Sequence, residues 1–144
     1  MIVEYKNIVV AVDGSEASEK AFVKSLDIAK RNHARLILAH VVDSRTFATA
    51  EAYDRSLADR ADEYAKELLD SYVENAKSAG VNELIRCIEY GSPKVKIAKD
   101  IANDFHADLI ICGATGMNAV ERFLIGSVSE NITRYASCDV LVVR

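Results

Sequence analysis

The chain has 144 residues, 50% of them hydrophobic, and a formal net charge of -4 at pH 7. This length suits a single domain, residues 1–144, with a hydrophobic core that needs no disulfide or structural metal. An acidic balance without a cluster of Lys or Arg argues against binding to nucleic acid or to an anionic membrane, and no apolar run approaches the roughly 20 residues of a membrane-spanning helix.

Five short apolar runs, rich in Val, Ile and Leu, alternate with longer stretches along the chain. In chain order they occupy residues 6–13, 35–43, 82–90, 107–113 and 139–143. The runs are too continuous for a sheet with one face in water. They therefore predict strands that are buried on both faces.

Between the runs, and again over residues 127–137, apolar residues recur at the spacing of a helix. Ser92 and Pro93 suit the N-cap and the first position of the third helix, while Gly80 and Gly91 mark the ends of the second helix and the third strand. Strand and helix alternate throughout. The pattern predicts an α/β, Rossmann-like, doubly wound open sheet of five parallel strands in the order 3-2-1-4-5, with helices on both faces.

Three cysteines, Cys87, Cys112 and Cys138, are widely separated, and each lies in or beside an apolar run. An odd number of packed cysteines is typical of reduced thiols rather than of a disulfide framework. A cytoplasmic protein is therefore expected. The start of the chain also lacks the features of a secretory signal.

The polar connection over residues 43–56 precedes the second helix. One interpretation is a mobile lid over a ligand. The other is a solvated helix entrance with Ser and Thr as caps, and the sequence favours neither.

Ligands of open parallel sheets bind beyond the carboxyl ends of the strands, where the strand order reverses. In the order 3-2-1-4-5 that point, the switch point, lies between strands one and four. It brings together the loops AVDGS and GATG, so Asp13 and Gly113 should be neighbours.

Glycines follow the fourth strand in the pattern of a phosphate cradle, which here denotes Gly113, Gly116, Gly126 and Ser127. The first two glycines bracket a tight turn that a ligand can approach closely. Gly126 and Ser127 precede a helix whose first N–H groups favour an anion. The alternative is that the glycines shape turns only and that Ser127 forms a capping box with Glu130.

The phosphate cradle lacks the lysine of a P-loop, so it would rely on backbone donors. A triphosphate held in this way calls for a divalent cation, Mg²⁺ or Mn²⁺, and Asp13 is the best-placed carboxylate to orient it or to accept a ribose hydroxyl. Arg122 adds a positive charge or is a solvated surface residue. The cradle hypothesis predicts that Gly113→Val abolishes nucleotide binding and leaves the fold largely intact.

The glycine pattern G-2x-G-9x-G-S after the fourth strand, together with AVDGS after the first, resembles the nucleotide-binding universal stress proteins. The resemblance extends over the whole chain, from KNIVVAVDGSEAS to GSVSENITRYASCDVLVVR. It implies ATP bound at the switch point, usually in a homodimer that pairs its last strands, here DVLVVR, in a cytoplasmic protein of the stress response. A protein partner would read the bound state.

The resemblance also implies roles for individual residues. The residues expected at the adenine are Ala11, Val12, Val41 and Cys112. Asp13 is expected at the ribose and the metal. The residues expected at the phosphates and ribose are Gly113, Gly116, Gly126, Ser127, Val128 and Ser129. Family members often have proline where this chain has Ala11.

No general base paired with a nucleophile stands out, so a binding protein with at most slow ATPase or self-phosphorylation activity is expected. His40 is interpreted as a packed, hydrogen-bonded strand residue, and His33 and His106 as caps at helix ends. Two alternatives remain. One is an interaction dimer that binds no nucleotide. The other is an adenylating enzyme. Enzymes of that class have S-G-G-x-D-S after the first strand, and the V-D-G-S of this chain counts against this alternative.

Overall fold

The computed structural model describes residues 4–43, 55–115 and 125–144. Its five strands form one parallel sheet in the order β3-β2-β1-β4-β5, which confirms the predicted fold class. The strands are β1 (Asn7–Ala11), β2 (Arg35–Asp43), β3 (Leu84–Gly91), β4 (Leu109–Gly113) and β5 (Asp139–Val143).

Four helical segments alternate with the strands. They are α1 (Glu16–Asn32), α2 (Arg55–Ser78), α3 over residues 93–104, and α4 (Ser127–Tyr135). The middle of α3 is a π-helical turn, Lys96–Ile101, between short α-helical ends.

Local sequence signals set the ends of these helices. Ser15 caps α1, because its side chain accepts the Ser18 N–H, and α3 begins at Pro93 after Ser92 as predicted. His33 and His106 have φ of 52° and 51°, and their backbone N–H groups bond to carbonyls of the helices that they follow. Both therefore terminate helices as expected, through the backbone.

Alternate side chains of each central strand face opposite layers, and both layers are apolar. Ile8 and Val10 of β1 are fully buried with α1 and α2, whereas Val9 is fully buried with α3 and α4. The continuous apolar runs of β1, β2 and β4 thus match two covered faces, as predicted. The prediction is wrong for the edge strands β3 and β5, most of whose residues are only partly buried.

The strand order places the switch point between β1 and β4, which pair in parallel from Ile8 beside Leu109 to Val10 beside Ile111. The loop after β1 and the chain after β4 therefore leave the same edge of the sheet. This carboxyl edge is where the site residues were expected.

Residues 44–54, which include most of the predicted lid, lie outside the described residues. Among those described, no helix is long and apolar enough to cross a membrane.

Candidate functional site

The loop after β1 is held by hydrogen bonds centred on Asp13. Its backbone N–H donates to the Ser18 hydroxyl at 3.1 Å, and its carboxylate Oδ1 accepts the Ser15 N–H at 2.8 Å. These bonds fold the loop back onto the start of α1. The carboxylate of Asp13 therefore has a defined orientation before any ligand binds.

Two side chains from other elements contact this loop. His40 of β2 is buried, and its Nδ1 lies 2.8 Å from the Val12 carbonyl. This confirms its interpretation as a packed, hydrogen-bonded residue. From α2, the Tyr64 hydroxyl donates to the Asp13 carbonyl at 3.3 Å.

The N-terminus of α4 has no side-chain cap among the described residues. Its N-cap is Gly126, and the helix begins at Ser127, one residue earlier than a capping box on Ser127 would require. Glu130 instead pairs with Arg134 of the next turn, at 3.0 Å. The capping-box interpretation of Ser127 and Glu130 is therefore wrong.

The two helices that begin beside the switch point differ in the side chains that cap their first backbone N–H groups and offset their dipoles. The first turn of α1 has the Ser15 cap and the acidic residues Glu16 and Glu19. The dipole of α1 is thus compensated by its own sequence, whereas α4 has no such cap in the described part of the chain, and the one acidic residue of its first turn, Glu130, pairs with Arg134. Of the two, α4 is the helix suited to an external anion.

Two contacts join the end of β4 to the start of α4, and a third joins it to β5. The Gly126 N–H donates to the Ala114 carbonyl at 2.6 Å, the buried Ser129 hydroxyl donates to the Gly113 carbonyl, and Ala114 in turn donates to the Val143 carbonyl at 2.8 Å. The start of α4 is therefore fixed against the end of β4. The hydroxyl of Ser129 is engaged within the protein, so its predicted ligand contact would use its backbone N–H.

Gly113 is required for a reason that the sequence did not reveal. A Cβ at this position would lie 2.7 Å from the carbonyl carbon and 2.8 Å from the oxygen of Ala17 in α1. Positive φ is found at Gly14, Gly80 and Gly91 but not at Gly113. The close approach of α1 explains this glycine, and the expectation that Gly113→Val leaves the fold intact is wrong.

The residues expected at the adenine are divided between the two faces of the sheet. Ala11, Val41 and Cys112 pack in the layer that contains α4, whereas the Val12 side chain packs on the α1 and α2 side. The Val12 N–H and carbonyl are engaged with Ala39 and His40. The adenine contacts stay predictions. For a hydrogen bond to adenine, the backbone of Val12 has only the second lone pair of its carbonyl oxygen left.

Gly116 and Arg122 lie outside the described residues, so the turn of the phosphate cradle is not part of the structure described here. The described cradle residues, Gly113, Gly126 and Ser127, are brought to one edge of the sheet together with Val128 and Ser129. Asp13 leaves that edge from the neighbouring strand β1.

A resident metal centre made by protein side chains alone is absent from the described residues, which contain no group of three or more His, Cys, Asp or Glu suited to a metal ion. Asp13 fits a different arrangement, in which one carboxylate assists phosphate oxygens in holding a divalent cation. That cation would bind together with the nucleotide.

The three cysteines are free thiols, and Cys87 and Cys112 are buried, as the sequence indicated. Burial, together with the smaller effect of the charges of Glu89 and Asp104, raises the pKa of the Cys87 thiol from 9.0 to about 11. Burial likewise raises the pKa of Cys112 to about 11, against a lowering effect of the Ser129 hydrogen bond. Neither thiol is an activated nucleophile at neutral pH.

These raised pKa values predict a loss of stability in alkali. Because the unfolded chain releases the Cys87 proton near pH 9 and the folded chain keeps it to about pH 11, the free energy of unfolding should fall as pH rises through this window. Calorimetric melting between about pH 8 and about pH 10.5 measures the slope. Cys87→Ala should reduce that slope, and an equal slope in both proteins would contradict the assignment.

Two residues that fix the loop carrying Asp13, Ser18 and Tyr64, were not predicted from the sequence. Ser18 lies one helical turn after the Ser15 cap, and this local pattern was available in the sequence. Tyr64 is 51 residues from Asp13, and no local pattern connects them.

Comparisons with known proteins agree along the whole chain. The family model of the universal stress protein family matches residues 4–144 of this chain. A Staphylococcus aureus protein that bears the universal stress protein name is 50% identical over 143 residues, which cover 99% of this chain and 86% of that protein.

Solved structures show the same architecture. Universal stress protein UspA from Lactobacillus plantarum superimposes with a TM-score of 0.89 at 34% identity, covering 99% of this chain and 100% of that one. A universal stress protein crystallised in complex with cAMP has a TM-score of 0.72 at 28% identity, with 99% of this chain and 98% of that chain covered.

Proposed function

The chain belongs to the universal stress protein family, and from this premise we propose that it is a regulatory module that binds an adenine nucleotide, ATP in particular, at the switch point. The nucleotide would lie across the carboxyl ends of β1 and β4. A similar protein in complex with cAMP supports the class of ligand.

The observation that carries the proposal is the uncapped N-terminus of α4 beside the ends of β1 and β4. Helix N–H groups and the helix dipole together favour a phosphate. The neighbouring helix α1 is less suited to an anion, because the Ser15 side chain accepts one of its first N–H groups and its first turn contains two acidic residues, against one in α4. The phosphates are therefore assigned to Ser127, Val128 and the backbone of Ser129.

Asp13 is assigned to the ribose and to a phosphate-bound Mg²⁺ or Mn²⁺. Its Oδ1 is oriented by the Ser15 N–H, so the carboxylate is held at the edge next to β4. A divalent cation would offset the phosphate charge that backbone donors leave uncompensated. Ala11, Val41 and Cys112, which share the α4 side of the sheet, are assigned to the adenine.

The proposed assembly is a homodimer through β5. This strand is at the edge of the sheet, and its one strand neighbour in the described structure is β4. Its outer N–H and C=O groups suit pairing with the same strand of a second copy. In a cytoplasmic stress response, ATP would favour one state of this dimer, and a protein partner would read the difference.

Calorimetric titration of the protein with ATP and Mg²⁺ tests the proposal. Nucleotide retained through purification is first removed and identified by mass spectrometry. Micromolar binding with one site per chain is the expected result, and titrations with ADP, AMP and cAMP rank the ligands. If no adenine nucleotide binds, the proposal fails, and the interaction dimer that binds no nucleotide is the function left.

A further inference from the structure

Tyr64 of α2 contacts the turn that follows β1. Its hydroxyl donates to the Asp13 carbonyl, and it occupies the space that a Cβ of Gly14 would fill. Gly14 has φ of 84°, a conformation that other residues rarely adopt. The glycine therefore allows both the shape of the turn and the approach of the tyrosine.

The packing of Tyr64 differs from that of Tyr72, which lies two turns later on the same helix. Tyr72 is 3% exposed, and its ring packs on Phe22 with ring centroids 4.4 Å apart. Tyr64 is 46% exposed, and its ring contacts the edge of His40 with centroids 6.2 Å apart. Tyr72 thus holds α2 on the core, whereas Tyr64 is partly exposed and its hydroxyl contacts the loop.

Asp13 is fixed at three groups, and Tyr64 accounts for one of them. The Asp13 N–H and carboxylate are bonded to Ser18 and Ser15, within the same loop and the start of α1. The Asp13 carbonyl is bonded to Tyr64, from a helix elsewhere in the chain. Rotation of the Asp13–Gly14 peptide is thus opposed by a contact that depends on the position of α2.

We propose that Tyr64 is a positioning residue of the nucleotide site, which holds the Asp13–Gly14 peptide in its ligand-binding orientation and thereby couples α2 to occupancy. This inference rests on the proposed function. Coupling of this kind is reciprocal, so a nucleotide that is bound more tightly because of the Tyr64 contact also stabilises that contact. The outer face of α2 then becomes a surface whose position reports the bound state.

The test compares Tyr64→Phe with Tyr90→Phe. Tyr90 of β3 is a matched control, because it is 49% exposed and its hydroxyl also contacts α2. That hydroxyl donates to Asp62 of α2 at 2.7 Å rather than to the loop after β1. Loss of one neutral hydrogen bond corresponds to a change of roughly three- to tenfold. Tyr64→Phe should raise the Kd for ATP and Mg²⁺ by this factor, and Tyr90→Phe should leave it unchanged.

A second measurement separates positioning from general loosening of the fold. In protein labelled with 3-fluorotyrosine, the ¹⁹F resonance assigned by its loss in Tyr64→Phe should shift on addition of ATP. The resonance of Tyr5, whose hydroxyl donates to Asp139 at the opposite end of the sheet, should not shift. A purely structural role of Tyr64 would change the melting temperature without either effect.

The outcomes distinguish this inference from the proposed function. If the wild-type protein binds ATP and Tyr64→Phe binds it equally, the inference is overturned and the proposed function stands. The inference is also overturned if both Tyr→Phe variants weaken binding equally. If the wild-type protein binds no nucleotide, both proposals fail together.

Discussion

Replacing Ser127 with Glu is expected to weaken ATP binding by about tenfold or more without destabilising the protein. Ser127 is the first residue of α4, and its side chain is exposed. A carboxylate about 5 Å from one phosphate charge costs about 1 kcal/mol even at the dielectric constant of water, and ATP carries several such charges. The same carboxylate interacts favourably with the helix dipole, by about 0.3–1 kcal/mol.

The opposite signs of these two effects make the variant informative. Calorimetric titration gives the affinity, and thermal melting without nucleotide gives the stability. Ser127→Gln controls for side-chain size, and Asn82→Glu adds the same charge at an exposed position just before β3, at the opposite end of the sheet. If wild-type protein and Ser127→Glu bind ATP with equal affinity, the phosphates do not lie at the N-terminus of α4.

Gly113→Ala is expected to lower the free energy of unfolding by about 2 kcal/mol, and Gly113→Val by about 3 kcal/mol or more. The added Cβ would lie within 2.8 Å of three Ala17 atoms, of which two belong to the backbone. Either β4 or α1 must move, and both contribute to the buried core. For a chain of this length the alanine variant should melt roughly 5–10 °C lower, which differential scanning calorimetry would measure.

Gly→Asn substitutions at two positions separate crowding from backbone conformation. Gly80 has φ of 93°, which Asn tolerates better than most residues, and the nearest atom to an added Cβ is the flexible end of Lys30 at 3.7 Å. Gly80→Asn should therefore cost under about 1 kcal/mol, and Gly113→Asn considerably more. If Gly113→Asn proves as mild as Gly80→Asn, α1 is not closely packed on Gly113.

These expectations change how nucleotide binding is tested. Any side chain at Gly113 acts on the packing of α1 and on the ligand site together, so loss of binding in such a variant does not identify a phosphate contact. Ser127 is exposed, so a substitution there acts on the proposed site without altering the packing of the core.

The arrangement of the sheet was predictable because two covered faces require continuous apolar runs. Residues 35–43 were predicted as the second strand from such a run, and β2 has the same bounds. The switch point followed from strand order, and with it the neighbouring positions of β1 and β4. Both inferences depend on patterns within short segments of chain or on general rules of chain connection.

The details of the candidate site depended on distances that sequence patterns do not contain. Gly113 is glycine because α1 crosses close to β4, a fact about two separate elements. The S-x-x-E pattern suggested a cap at Ser127, but the helix has Gly126 as its N-cap. A shift of one residue at the end of a helix is too small for the sequence to resolve.

The strand order has a consequence for synthesis of the protein on the ribosome. β1 is the central strand, but its partner β4 follows about 100 residues later, as Ile8 pairs with Leu109. A nascent chain that ends after β3 leaves one side of an apolar strand unpaired, which is the kind of edge that promotes aggregation. The proposed nucleotide site would be completed only when α4 has emerged, so ligand binding there would select for chains that are fully made and correctly folded.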